Sequence, residues 1–128
     1  MIMKLISSLH AMDDDRGSAA VEFAIVGPIF LSLAVGMIYV CMLLFSMASM
    51  QYAVEEGARC SSVKTTICTN SASTITYAQN AYYGPLSAPT FTYATPACGH
   101  RVSASSSFAF KTGLTTLTVP LTATSCFP

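Results

Sequence analysis

RGSAAVEFAIVGPIFLSLAV, residues 16–35, opens an apolar run with a single carboxylate, Glu22, at its head. From residue 23 to residue 54 there is no Lys, Arg, Asp or Glu. An acid at the edge of such a run is costly unless it finds a partner or lies at the level of lipid headgroups. A helix rises about 1.5 Å per residue and a hydrocarbon core is about 30 Å thick, so roughly 20 residues span it. Residues 23–50 satisfy that length, and the predicted membrane span is placed there. The rest of the chain is too small to wrap so long an apolar cylinder as a buried core helix. A signal peptide has a shorter apolar region, about 7–15 residues, followed by a small-residue cleavage site that is missing after this run.

The whole chain supports the membrane reading. It has 128 residues, 9% of them charged, and a mean hydropathy of +0.54. Its formal net charge is zero, so no basic surface argues for nucleic acid. Helical character continues through MASMQYAVEEGARCSSVK, where Glu55, Glu56, Arg59 and Lys64 make the pattern amphipathic. One helix is therefore predicted from about Ser18 to about Val63, with a kink or loosened turn at Pro28, which has no N–H to give to Ala24. Ala20, Ala24, Pro28, Ser32 and Gly36 recur every four residues and form a small-residue stripe. Such a stripe lets a second helix approach closely in lipid, although small residues are also common in membrane helices generally.

Orientation rests on the cysteines. The Lys and Arg counts on the two sides of the run are nearly balanced. Cys60, Cys68, Cys98 and Cys126 all follow it, and an even number points to disulfides in an oxidising compartment. The N-terminus is then cytoplasmic and the C-terminal part extracytoplasmic. Cys41 reads as a small apolar filler inside the membrane.

In the C-terminal part, residues 73–83 read as a short helix with Ser73 at its start and Gly84-Pro85 at its end. Residues 90–95, 102–110 and 115–124 read as strands, the last two joined by a hairpin at residues 111–114 with Gly113 free to take positive φ. Pairing Phe108 with Leu117, Ala104 with Leu121 and Val102 with Ala123 unites the apolar faces. Cys98 and Cys126 are then one residue out of register, which a bulge near Pro120 would correct. This predicts a Cys98–Cys126 disulfide and leaves Cys60–Cys68 for the helix end. Zinc is disfavoured, because no two cysteines have the close spacing of a zinc knuckle.

Catalysis finds no constellation. All three aspartates lie before residue 16. Glu55 and Glu56 are adjacent, about 100° apart on a helix, and read as a solvated face. His100 has no acid near it in sequence to orient it against a serine. No enzymatic role, cofactor, metal or small-molecule substrate is expected. Tyr77, Tyr82, Tyr83 and Tyr93 are shared between core packing and contact with neighbouring proteins.

Gly17-Ser18-Ala19-Ala20-Val21-Glu22-Phe23 reads G-x-x-x-x-E-F after a short charged leader. It resembles a prepilin processing site, at which a membrane aspartic peptidase cuts after the glycine. Together with YAVEEGARC the stretch resembles the TadE-like family, minor pilins or pseudopilins of bacterial tight-adherence (Tad/Flp) pili. Major Flp pilins usually carry Tyr where this chain has Phe23, and they are much shorter, so the resemblance points to a minor component. It implies residues 1–17 as a cytoplasmic leader, 18–64 as the long helix and 65–128 as a small extracytoplasmic domain in the bacterial inner membrane. It also implies the prepilin peptidase, other pilins and Tad assembly proteins as partners. Cleavage would give Ser18 a free amine, four residues from Glu22, within reach of its carboxylate or of a neighbouring subunit's. Gly17 and Ser18 are thus the expected processing site, and Glu22 and Phe23 the expected assembly residues. The remaining chain would carry four bases and three acids. The competing reading is an uncleaved single-pass anchor whose outer domain binds a partner or ligand. The expected fold is α+β: a long N-terminal pilin-like transmembrane helix, then a disulfide-stapled domain with a short helix and about three antiparallel strands.

Overall fold

The computed structural model describes the backbone of residues 2–85, 88–111, 113 and 115–128, and the side chains from residue 17 onward within those ranges. Its elements are α1 (Ile2–Val63), α2 (Ser71–Asn80), β1 (Thr90–Ala94), β2 (His100–Lys111) and β3 (Thr116–Phe127). This is the expected α+β arrangement. The chain forms two compact units, Met1–Ile38 and Tyr39–Pro128.

The first unit is the N-terminal part of α1. The helix starts at Ile2 rather than at Ser18. Residues 2–17 include the good helix formers Met3, Lys4, Leu5, Leu9, Ala11 and Met12 and no proline to stop the helix. α1 also continues through Pro28. Apolar side chains between residues 21 and 37 are mostly exposed, including Phe23 at 79% and Met37 at 71%.

The second unit begins where α1 acquires an inner face. Ser46, Met50, Ala53, Val54, Ala58 and Ser61 are buried, with Tyr39 and Leu43 partly so. These positions recur at three and four residues and line one side of the helix. Against this side lies a three-stranded antiparallel sheet of order β1-β2-β3. β2 offers Val102, Ala104 and Phe108, and β3 offers Leu121 and Ala123. Each large apolar side chain so buried contributes roughly 1.5–3 kcal/mol. The other face of the sheet carries Ser and Thr.

The β2–β3 register differs from the expected one by two residues. Phe108 pairs with Val119, Ala104 with Ala123 and Val102 with Ser125. A shift of two keeps every side chain on its own face, so the hydrophobic pattern is equally satisfied. The connection shifts by one residue, to residues 112–115. Gly113 there has φ +85°, while Thr112 and Leu114 of the expected hairpin turn lie outside the described residues. The bulge expected near Pro120 is not needed, because pairing runs unbroken from His100↔Phe127 to Lys111↔Thr116. Cys98 instead reaches Cys126 from a turn ahead of β2. In that turn the Gly99 N–H donates to the Pro96 carbonyl at 2.9 Å and Gly99 adopts φ +106°. A Cβ at Gly99 would lie 2.4 Å from the Phe127 carbonyl oxygen.

α2 starts two residues earlier than expected, and its cap is Asn70 rather than Ser73. The Asn70 side chain accepts from the Ser73 N–H at 2.9 Å, and the Ser73 hydroxyl engages the Asn70 backbone. Ser73 is thus the third helical residue of a capping box.

Disulfides join Cys60 to Cys68, with Cα atoms 5.8 Å apart, and Cys98 to Cys126, with Cα atoms 6.2 Å apart. The first ties the last turn of α1 to the loop before α2. The second ties the start of β2 to the end of β3. Three buried hydroxyls are satisfied locally: Ser46 donates to the Met42 carbonyl, Ser61 to that of Ala58 and Thr74 to that of Asn70.

α1 packs closely on α2 and β2 at Gly57. A Cβ there would lie 2.9 Å from Ala78 Cβ of α2 and 3.4 Å from Val102 of β2. Gly57→Ala should lower the unfolding free energy of the detergent-solubilised protein by about 1–3 kcal/mol, the cost of overpacking. Gly36→Ala, where a Cβ would meet nothing within 4 Å, should leave it unchanged or slightly higher. The disulfides should also differ. Their residues are 28 and 8 positions apart, so replacing Cys98 and Cys126 by Ser should destabilise by about 1 kcal/mol more than the same change at Cys60 and Cys68. Chemical denaturation of the two double variants measures this.

Candidate assembly and processing site

The residues singled out by the sequence are presented on an open helix surface. Gly17, Ser18, Ala20, Glu22, Phe23 and Ala24 are all exposed on α1. Ser18 and Glu22 lie four residues apart, hence on one face. Among the described residues no hydrogen bond or ion pair engages the Glu22 carboxylate. The Phe23 ring reaches along the helix toward Gly27, where a Cβ would sit 3.8 Å from it.

Gly17 is not explained by packing. A Cβ there would meet nothing within 4 Å, and its φ is not positive. A glycine inside a helix costs about 1 kcal/mol relative to alanine. Among the described residues nothing packs against it to offset that cost, in contrast to Gly57.

Ala20, Ala24, Pro28, Ser32 and Gly36 are likewise exposed. The Ser32 hydroxyl donates to the Ile29 carbonyl at 2.8 Å, so this polar group is satisfied within its own helix, as lipid requires. By length and composition α1 is a candidate membrane span within Gly17–Val63. Cys41 is a free, exposed thiol in the second unit.

In the second unit Glu55, Glu56 and Arg59 of α1 lie beside β3. Glu55, Glu56 and Arg59 line an open groove of about 370 Å³ with Ser125 and Phe127. The sequence placed both glutamates on a solvated face. They do meet solvent, but β3 forms the opposite wall, which helical periodicity alone does not show. A second groove of about 310 Å³ is lined by Tyr52, Glu56, Tyr77, Asn80, Ala81 and Tyr83. Of the four outer tyrosines, Tyr82 and Tyr93 pack on the core, and Tyr83 is 72% exposed. The Tyr83 N–H donates to the Ser49 hydroxyl of α1 at 2.8 Å.

Tyr77 holds Lys64. The ammonium donates to the Tyr77 hydroxyl at 3.0 Å and lies 5.3 Å from the ring centroid. The Tyr77 hydrogen bond is the main cause raising the Lys64 pKa above its ordinary 10.5. A raised lysine value favours the folded state below the ordinary value, and the contribution is lost as pH rises through the folded one. The contact is therefore intact at neutral pH. His100 stacks on Tyr93, and its Nδ1 pairs with the Tyr93 hydroxyl, so the histidine is engaged in a side-chain contact beside β1. Among the described residues no group of three or more His, Cys, Asp or Glu is assembled for a metal.

Neither a curated protein nor a solved structure matches the chain. A family model described as TadE-like protein does match, over residues 17–59. The match begins at the glycine that packing leaves unexplained and ends one residue before the first disulfide cysteine. Residues 17–59, about a third of the chain, are thus similar to the TadE-like family.

Proposed function

We propose that this protein is a structural minor pilin or pseudopilin of a Tad pilus, cleaved after Gly17 by a prepilin peptidase and joined to the pilus or its assembly complex. The observation that supports the reading is the placement of G-x-x-x-x-E-F at the head of an exposed apolar helix stretch, with a glycine there that no described residue packs against. In this reading the leader is cytoplasmic and the disulfide-bearing domain extracytoplasmic. The span is shorter than residues 23–50. α1 has an inner face packed on the outer domain from Tyr39 onward, so lipid surrounds residues 18–38, about 30 Å of helix at 1.5 Å per residue.

Cleavage leaves an ammonium on Ser18 and a carboxylate on Glu22. In a bundle of low dielectric the two neutralise one another, within the chain or between neighbouring subunits. Ala20, Ala24, Pro28, Ser32 and Gly36 allow the close approach of a second helix. The peptidase, other pilins and Tad assembly proteins are the partners this requires, in the bacterial inner membrane and then the pilus.

Two substitutions test the reading in the cell of origin. Gly17→Leu should leave a longer, uncleaved chain in the membrane and none in sheared pili. Glu22→Ala should be cleaved normally yet lose incorporation by at least about tenfold, because an unpaired buried charge costs about 3–5 kcal/mol. Immunoblots of membrane and sheared-pilus fractions read both. Equal migration of Gly17→Leu and wild type would favour the uncleaved surface anchor, and normal incorporation of Glu22→Ala would remove the charge pairing.

A further inference from the structure

The sheet has one covered and one open edge. α2 packs beside β1, whereas the outer side of β3 is bounded by no further strand. Native edge strands are usually guarded by charges, prolines or bulges. β3, TLTVPLTATSCF, has no charged residue, and Pro120 is its one proline.

The direction of the backbone groups follows from two observations. The Thr92 hydroxyl donates to the Ser103 carbonyl, so Ser103 turns its N–H and C=O toward β1 and away from β3. Ser103 pairs with Thr124 and Ser107 with Pro120. In an antiparallel ladder bonded and non-bonded pairs alternate, so both of these pairs are non-bonded ones. Pro120, which has no N–H, fits that assignment. Thr122, Thr124 and Cys126 therefore turn their N–H and C=O groups to the open edge. Pro120 guards the middle of β3 and leaves residues 122–126 available.

The same stretch borders the groove of Glu55, Glu56, Arg59, Ser125 and Phe127. A strand edge facing a helix across a groove is the geometry of β-strand addition, in which main-chain bonds give affinity and the groove reads alternate side chains. Two carboxylates against one guanidinium make the lining acidic. Phe127 is 38% exposed and offers an apolar wall.

We propose that residues 122–126 of β3 receive an extended segment of another polypeptide as a fourth strand, with a basic side chain of that segment seated between Glu55 and Glu56. This goes beyond the pilin reading and does not depend on cleavage at Gly17.

The test uses the full chain in detergent micelles and three synthetic peptides. One alternates Thr and Val around a central Lys, one has Glu in place of that Lys, and one is the Lys peptide with alternate amides N-methylated. The Lys peptide should slow hydrogen exchange at the Thr122, Thr124 and Cys126 amides and leave Leu121, Ala123 and Ser125 unchanged. It should bind about tenfold more tightly than the Glu peptide, and the N-methylated peptide should not bind. Glu55→Gln with Glu56→Gln should abolish the preference for Lys. Thr124→Pro should abolish binding while retaining the Cys98–Cys126 disulfide and the circular dichroism of the wild type. Failure of the Lys peptide to protect those three amides at millimolar concentration would overturn the proposal. So would equal binding of the N-methylated peptide, or a Lys preference that survives the double glutamine variant.

Discussion

The second unit depends on the close approach of α1 to α2 and β2 at Gly57. The three-stranded sheet has one apolar face, and that face packs on a helix. The core is completed by the helix itself, through Met50, Ala53, Val54 and Ala58. Small residues on α1 let the backbone come near, and Ala78 of α2 and Val102 of β2 fill the space beside Gly57. The helix that is apolar enough to enter a membrane is thus also one wall of the folded domain. Cutting the domain free at residue 64 would remove four of the eleven buried residues of the described core.

The Ser and Thr richness of the C-terminal part is explained by the same packing. With one sheet face turned to α1, the alternation of the strands sends Thr90, Thr92, Ser105, Thr122 and Thr124 outward. Thr92, Ser103 and Thr124 form one row across the three strands, and the Thr124 hydroxyl donates to that of Ser103 at 3.1 Å. Uncharged hydroxyls solvate this face, which is how a chain with so few ionic groups still presents a polar exterior. The disulfides add constraint where such a thin core is weakest, at the end of α1 and at the open end of the sheet.

Much of this was legible in the sequence, and the limits have physical causes. The long helix follows from thirty-odd uncharged residues, the strand faces from period-two alternation, and the positive φ at Gly113 from turn chemistry. The β2–β3 register was not legible, because two alignments that differ by two residues bury the same side chains. The difference lies in turn length and in the bend at Gly99, which brings Cys98 to Cys126 without a bulge. Asn70 and Ser73 are both good caps, and only the reciprocal bonds of the capping box tell them apart. At the candidate site the exposed glycine and glutamate were visible as a motif. The wall that β3 builds opposite Glu55 and Glu56 was not, since it joins residues some 70 positions apart in the chain.

The account turns on a free amine at Ser18 to neutralise the lone acid of an otherwise uncharged helix head. The intact mass of the wild-type protein, extracted from the membranes of the cell that makes it, tests this most directly. A chain that begins at Ser18 and contains two disulfides is the predicted result. A mass that still includes residues 1–17 would contradict it and leave Glu22 without the proposed counter-charge.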